Sequence, residues 1–235
     1  MGAALVTGAS SGIGLAIALE LAQSGRKVFA IARGARGLNA LRAAHAGITP
    51  IALDVTDRET VEATLDGLDI DVLVNNAGMM PPLGNFADMA MADIDTALEV
   101  NLSAVIALTR LVVPGMLARG RGDILFTGSA AGHGAYAHMA VYAATKGGIA
   151  SFAQGLRADL SPFGIRVTEI VPGRVETGLY KHILDEPARA AMYASKAVQP
   201  EDVARMVRAV LDLPEWATVP RFDIVPTRPS PPMKG

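Results

Sequence analysis

Thr7-Gly8-Ala9-Ser10-Ser11-Gly12-Ile13-Gly14 follows the short aliphatic run Ala3-Ala4-Leu5-Val6 and opens a helical pattern that runs to Gln23. Strand, glycine-rich turn and helix, in that order, form the context of a dinucleotide-binding unit. There Gly8 permits the tight turn, Gly12 lets backbone N–H groups approach a pyrophosphate, and Gly14 allows close helix–strand contact. Ser10, Ser11 and Ile13 complete the turn, and the helix N-terminus adds a favourable partial charge for an anion. Taken alone, the glycines also suit a plain strand terminator. No Gly-Lys-Ser/Thr follows, so a Walker-type phosphate loop is excluded.

Outward from this turn, short aliphatic or β-branched runs recur near residues 5–6, 27–32, 51–53, 71–74, 123–127, 165–171 and 222–225. Helical patterns separate them: 13–23 closed by Ser24-Gly25, one from about 59 capped by Asp57, 91–117 bent near Pro114, 139–160 and 201–213. Nearly uniform apolar strands bounded by helices predict a parallel sheet covered on both faces. Right-handed crossovers then give a Rossmann-type, doubly wound α/β fold in three layers. A single domain over 1–226 is expected, with a Pro-rich tail over 227–235 and no internal repeat.

Composition narrows the function classes. The chain has 235 residues, enough for one sizeable core, and it is 51% hydrophobic with 5% aromatics, Ala supplying many of the apolar positions. A formal charge of −2 and the lack of a basic run argue against nucleic acid. With no cysteine there is no thiolate metal site and no thiol catalysis. The start lacks a leader pattern, and charges, Pro or Gly break each apolar run short of a membrane helix. A cytoplasmic location and no membrane partner are therefore expected. The slightly positive mean hydropathy suggests apolar surface covered by other subunits.

An NAD-preferring turn expects a carboxylate at the end of the second strand. Here the place is held by Ala32-Arg33, with Arg36 nearby. Arg33 suits bidentate pairing with a 2′-phosphate, with Ser10 or Ser11 assisting, so NADP(H) is expected in preference to NAD(H). The plainer role for Arg33 is a solvated loop residue.

Tyr142 and Lys146 lie four apart on a predicted helix and share a face. A free phenol ionises near pH 10, and an ammonium one turn away is expected to lower that value toward useful base strength. Ser129 follows the fifth strand, at the carboxyl edge where open α/β sheets take ligands, and can hydrogen-bond a reacting oxygen. Cradle, hydroxyl, phenol and amine in this order point to nicotinamide-dependent oxidoreduction.

The chain resembles the short-chain dehydrogenases/reductases of the compact, single-domain branch over essentially residues 3 to 226. Thr7 to Gly14 is similar to the family's glycine element, and Asn75-Asn76-Ala77-Gly78 to the element that supports the sheet and borders the adenosine. Asp54, with Val55 beside it, corresponds to the adenine-contacting acid. Pro172-Gly173, with Val175 and Thr177, resembles the segment that closes over the nicotinamide. The resemblance implies four catalytic residues. Tyr142 passes the proton, Lys146 holds the nicotinamide ribose, Ser129 polarises the carbonyl, and Asn101 orders a water leading to the lysine. It implies a small carbonyl or alcohol substrate and a homotetramer, or a homodimer, paired through the two long helices. A non-catalytic NADP(H) sensor is the alternative from another class. An epimerase of the longer branch would have a different glycine spacing and a larger C-terminal region.

Specificity is expected between residues 130 and 139 and between 174 and 198. Leu179, Ile183, Met192 and Tyr193 read equally as a pocket wall or as a helix packing on its own subunit. Arg174 is either a substrate-carboxylate ligand or half of a salt bridge with Glu176 or a neighbouring loop. His133 and His138 are expected as polar lining or surface, without metal spacing, and His182 as exposed. The stretch 220–227 resembles the ending of bacterial NADP-dependent 3-hydroxy acid and serine dehydrogenases.

Overall fold

Seven parallel strands run in the order β3-β2-β1-β4-β5-β6-β7. The computed structural model describes residues 2–193 and 197–228, with the backbone alone at Ala35 and Arg36. The strands are β1 (Ala3–Thr7), β2 (Val28–Ala32), β3 (Ile48–Ala52), β4 (Ile70–Asn75), β5 (Gly122–Thr127), β6 (Ile165–Pro172) and β7 (Arg221–Ile224). The helices are α1 (Gly12–Gln23), α2 (Ala35–Ala44), α3 (Arg58–Leu65), α4 (Met91–Leu98), α5 (Ala104–Arg119), α6 (Ala140–Leu160), α7 (Glu186–Tyr193) and α8 (Pro200–Leu211). The expected Rossmann-type α/β class is what the chain adopts.

Strand alternation splits the core into two layers. Ala4, Val6, Leu125 and Ile170 turn toward α1, α2 and α8. Leu5, Ile124, Phe126, Ile165 and Val167 turn toward α5 and α6. Fully buried Ala18, Ala22 and Ala30 let α1 approach the sheet closely, as the Ala-rich composition implies. Chain order reverses between β1 and β4, so a crevice opens at their carboxyl ends, where such sheets bind ligands.

The helical stretch 91–119 carries Pro114 inside α5 and, in addition, one wide π-type turn over Glu99–Ser103 that the sequence did not announce. One expectation needs correction. That stretch, Met91–Arg119, is by length and composition apolar enough to cross a membrane, contrary to the reading that every run is broken. Its apolar side chains Val105, Leu108, Val112 and Met116 instead pack on the sheet.

Candidate active site

The cradle is shaped by what its glycines exclude. Gly8 has φ +65°, and a Cβ there would stand 2.9 Å from the Ala77 Cα. A Cβ on Gly14 would overlap the Gly8 carbonyl and the Asn76 amide, and one on Gly12, φ +55°, would stand 3.1 Å from the Thr177 methyl. The Thr7 hydroxyl accepts the Asn76 and Ala77 N–H groups at 3.0 and 2.9 Å, and Asn76 Nδ2 donates to the Thr7 carbonyl at 3.1 Å. These bonds tie the ends of β1 and β4 together at the crevice. Ser11 is the N-cap of α1 but makes no side-chain cap bond, and the first turn carries no acid. Donors left free at a helix start, with no competing carboxylate, suit a pyrophosphate. Ser10 is half-buried and Ile13 packs on the core. A dinucleotide therefore fits here: Ser10 to Ile13 would hold its phosphates, and the group would supply a hydride donor or acceptor.

On the adenosine side, Arg33 extends into solvent, with Nη1 3.8 Å from Asp54 Oδ2. Asp54 Oδ1 accepts from Thr56 N and Oγ1, at 3.0 and 2.8 Å, which fixes the carboxylate, and Val55 packs on the core beneath. The Arg36 side chain lies outside the described residues. Asn75 Nδ2 donates to Thr109 Oγ1 at 3.0 Å, binding β4 to α5.

Ser129, Tyr142 and Lys146 come together across the gap from the cradle. Tyr142 and Lys146 are both buried on α6, with Nζ 5.8 Å from the phenol ring centre. The expectation that Lys146 lowers the Tyr142 value is not met. Burial pushes the phenol above its ordinary range, Tyr180 adds to this, and the Ser129 hydroxyl opposes it. The ammonium is engaged elsewhere, donating to the Thr127 carbonyl at 2.8 Å. Burial lowers the Lys146 pKa to about 8 while Glu169 pulls it upward. Ser129 Oγ accepts from Ala131 N at 3.1 Å, leaving its own proton to donate.

Asn101 sits in the π-type turn. Its Oδ1 accepts from Met79 N and its Nδ2 donates to Met79 O, both at 2.8 Å, so the wide turn is pinned to the Gly78 loop. A Cβ on Gly78 would be 3.2 Å from Asn101 Oδ1 and 3.6 Å from Lys146 Nζ, so the Gly78 loop runs close against both side chains.

Pro172 is buried, Gly173 N donates to Ile224 O at 2.9 Å, and Val175 bridges to Val198. This anchors the segment that sets Thr177 over Gly12. Met80, Ala131, Met139 and Tyr142 form a small apolar cluster with Leu179, Tyr180 and Ile183 against it. Leu179 and Ile183 thus pack against the cluster that holds Tyr142; Met192 and Tyr193 belong to α7 and lie outside that cluster. Arg174 Nη1 donates to Met192 O at 3.1 Å, and among the described residues it makes no ion pair with Glu176, which instead accepts from Gln199. His182 is exposed and His138 has φ +65°, a conformation uncommon outside glycine. A cleft of about 590 Å³ between α1, α7 and α8 touches the cradle only at Gly12 and Thr177, away from Tyr142.

One residue the sequence reading overlooked is Glu169, a nearly fully buried carboxylate on β6 whose Oε1 lies 2.8 Å from His133 Nε2. A Glu inside a buried apolar strand was the available signal.

The model of the short chain dehydrogenases matches residues 2–188. An uncharacterised short-chain type dehydrogenase/reductase of Sinorhizobium fredii is 45% identical, over 95% of this chain and 91% of that protein. An NADP-dependent 3-hydroxy acid dehydrogenase of Salmonella typhi is 36% identical, over 96% and 95%. Among solved structures, the closed form of serine dehydrogenase complexed with NADP+ superimposes with a TM-score of 0.92 at 33% identity, covering 96% of this chain and 95% of that one. With the fold, the cradle and these relatives in agreement, the chain belongs to the short-chain dehydrogenase/reductase family of oxidoreductases.

Proposed function

We propose that the chain interconverts a ketone or aldehyde with its alcohol, with NADP(H) as cofactor and Tyr142 as the acid and base. The observation that carries this reading is the burial of Tyr142 and Lys146 on one face of α6, opposite an uncapped cradle. The bound cofactor supplies the hydride for the carbonyl carbon, or accepts it in the reverse direction. In reduction the Tyr142 phenol gives its proton to the carbonyl oxygen, which the Ser129 hydroxyl holds by a hydrogen bond. Lys146, positioned by Thr127, stands ready to hold the ribose hydroxyls, and Asn101 keeps its loop open for a water that resupplies the proton. The cofactor preference follows from Arg33 at the end of β2, and it agrees with the NADP named for the 3-hydroxy acid dehydrogenase and serine dehydrogenase relatives.

The substrate class that fits best is a short 3-oxo or 3-hydroxy acid. Arg174 donates to the Met192 carbonyl near the end of α7, and Tyr180, in the same specificity segment, packs in the same cluster as Tyr142. A carboxylate on Arg174 then sets the carbonyl toward the phenol. The relatives named for hydroxy acids and serine support a carboxylate-bearing substrate. Assembly through the two long helical stretches, α4–α5 and α6, is proposed as well, since Leu98, Ile106 and Leu117 remain exposed along the first; light scattering showing only monomer would refute it. The test of function is NADPH and NADH consumption, followed by absorbance, across ketones, aldehydes and 3-oxo acids. Arg174→Leu should raise KM about 10-fold or more for acids and little for neutral ketones, as loss of a charged hydrogen bond implies. Equal effects on both classes refute the carboxylate role. Tight NADPH binding without turnover of any class favours the sensor.

A further inference from the structure

Ser129 opens one 3₁₀ turn, Ala130–Gly132, between β5 and α6. The turn is drawn tight around the serine. Its Oγ accepts from Ala131 N at 3.1 Å, and Gly132 N donates to the Ser129 carbonyl at 2.9 Å. With three residues per turn, positions 129 and 132 stand one above the other, so a shift at one carries the other with it. Ala131 is buried in the cluster that holds Tyr142. Gly132 meets α6 one turn further along, at Lys146 and Gly147.

That second meeting is backbone on backbone. A Cβ on Gly132 would stand 2.8 Å from the Lys146 carbonyl carbon, 2.9 Å from its oxygen and 2.9 Å from Gly147 N. Backbone atoms inside a 21-residue helix cannot turn aside as a side chain would. Gly132 is not one of the left-handed glycines, so what the position requires is the missing Cβ and not conformational freedom. From the helix side the fit is looser. A Cβ on Gly147 would be 3.6 Å from the Gly132 carbonyl oxygen, an ordinary contact.

We propose that Gly132 is a positioning residue: the side chain it lacks sets how closely the turn carrying Ser129 lies on α6, and so how Ser129 and Tyr142 meet on one substrate oxygen. This rests on the roles proposed above for Ser129 and Tyr142. Carbon atoms pack at about 3.5–4.0 Å, so an added Cβ drives the turn off the helix by about 0.7 Å or more. The Ser129 hydroxyl, tied to Ala131 N, moves with the turn.

The test has a structural arm and a kinetic arm. In crystals of Gly132→Ala grown in the wild-type form, Ser129 Oγ should retreat from Tyr142 Oη by about 0.5 Å or more, while Gly147→Ala leaves it in place. In turnover, Gly132→Ala should lower kcat about 10-fold or more, since a misplacement of about 1 Å can cost about 100-fold. KM for NADPH should stay within a few-fold, and Gly147→Ala should keep the wild-type kcat. The deciding comparison is made on Ser129→Ala. Adding Gly132→Ala there costs little further if Gly132 acts through Ser129, whereas a turn that merely loosens the fold makes the two losses multiply. A folded Gly132→Ala protein with Ser129 unmoved overturns the proposal. So do multiplying losses, and so does a wild-type kcat for Gly132→Ala in a chain that needs Ser129. A displaced Ser129 in a chain whose Ser129→Ala variant turns over as the wild type leaves the geometry standing and refutes the role given to Ser129. If Gly132→Ala does not fold, Gly147→Val takes its place, its γ-methyls closing the 3.6 Å gap to the Gly132 carbonyl from the helix side. The same displacement and the same dependence on Ser129 are then expected, and their absence overturns the proposal.

Discussion

Arg33→Ala isolates the cofactor preference from every other feature of the cradle. The guanidinium is 78% exposed and, among the described residues, its one ionic neighbour is Asp54, 3.8 Å away. Exposed pairs of that kind contribute at most about 1 kcal/mol, so little is lost within the free protein. A charge-assisted hydrogen bond to a 2′-phosphate is worth about 1.5–3 kcal/mol. Solvent around an exposed guanidinium argues for the lower part of that range, about 1.5–2 kcal/mol, or about 10- to 30-fold in affinity. Removal of Arg33 also leaves the Asp54 charge unanswered beside the phosphate, which acts in the same direction. The assay is steady-state KM for NADPH and for NADH at low and at moderate ionic strength. KM for NADPH should rise about 10- to 30-fold, KM for NADH should stay within about 2-fold, and the salt dependence of the NADPH value should weaken. Equal losses for both cofactors would refute the reasoning, because they would make Arg33 a structural or adenosine contact. No change in either would refute it as well.

Gly8→Ala places a Cβ at φ +65° and 2.9 Å from the Ala77 backbone. Backbone strain of about 1–3 kcal/mol is expected, lowering Tm by about 2–10 °C with weakened NADPH binding; calorimetry checks it. Lys146 sets a pH dependence of stability in the cofactor-free protein. Folded, it loses its proton near pH 8; unfolded, it does so near pH 10.4. Between those values the unfolded chain binds the extra proton, so this group makes stability rise with pH across that window. Tyr142 acts oppositely above about pH 10, since burial retains its proton after an unfolded phenol has lost it. Urea unfolding from pH 8 to 10 should therefore show a shallower slope for Lys146→Met than for the wild type.

The layering of the fold is legible because helix and strand periods differ and the buried strands are nearly all aliphatic. Asp57 reads as a cap and is one, accepting from Thr60 N at 3.1 Å. The third strand reads as starting at residue 51, three residues late; Pro50 inside the observed strand is accommodated because β3 is the edge of the sheet. The helix α2 goes unread. It starts after Gly34 without a side-chain cap, contains Gly37, and among its described side chains buries Leu38 and Leu41 alone. The π-type turn has no local signature, since the Asn101 amide holding it bonds to Met79, 22 positions earlier. Likewise the partner of Glu169 lies 36 positions away in sequence, and nothing in either stretch announces the pair. The elevated Tyr142 phenol is a property of burial, which a helical spacing of four does not report.

The central claim is that the Tyr142 hydroxyl moves the proton while hydride passes between cofactor and substrate. The most direct measurement compares Tyr142→Phe with the wild type in two readouts: NADPH oxidation with the best carbonyl substrate, and NADPH binding by fluorescence titration. The phenol is buried and its ring packs with Met80, Ala131 and Met139, so phenylalanine keeps the packing and removes only the oxygen. Turnover reduced by at least about 10²- to 10⁴-fold, the usual contribution of a general acid, with NADPH affinity within a few-fold of wild type, is the expected result. Substantial turnover by Tyr142→Phe would contradict the account.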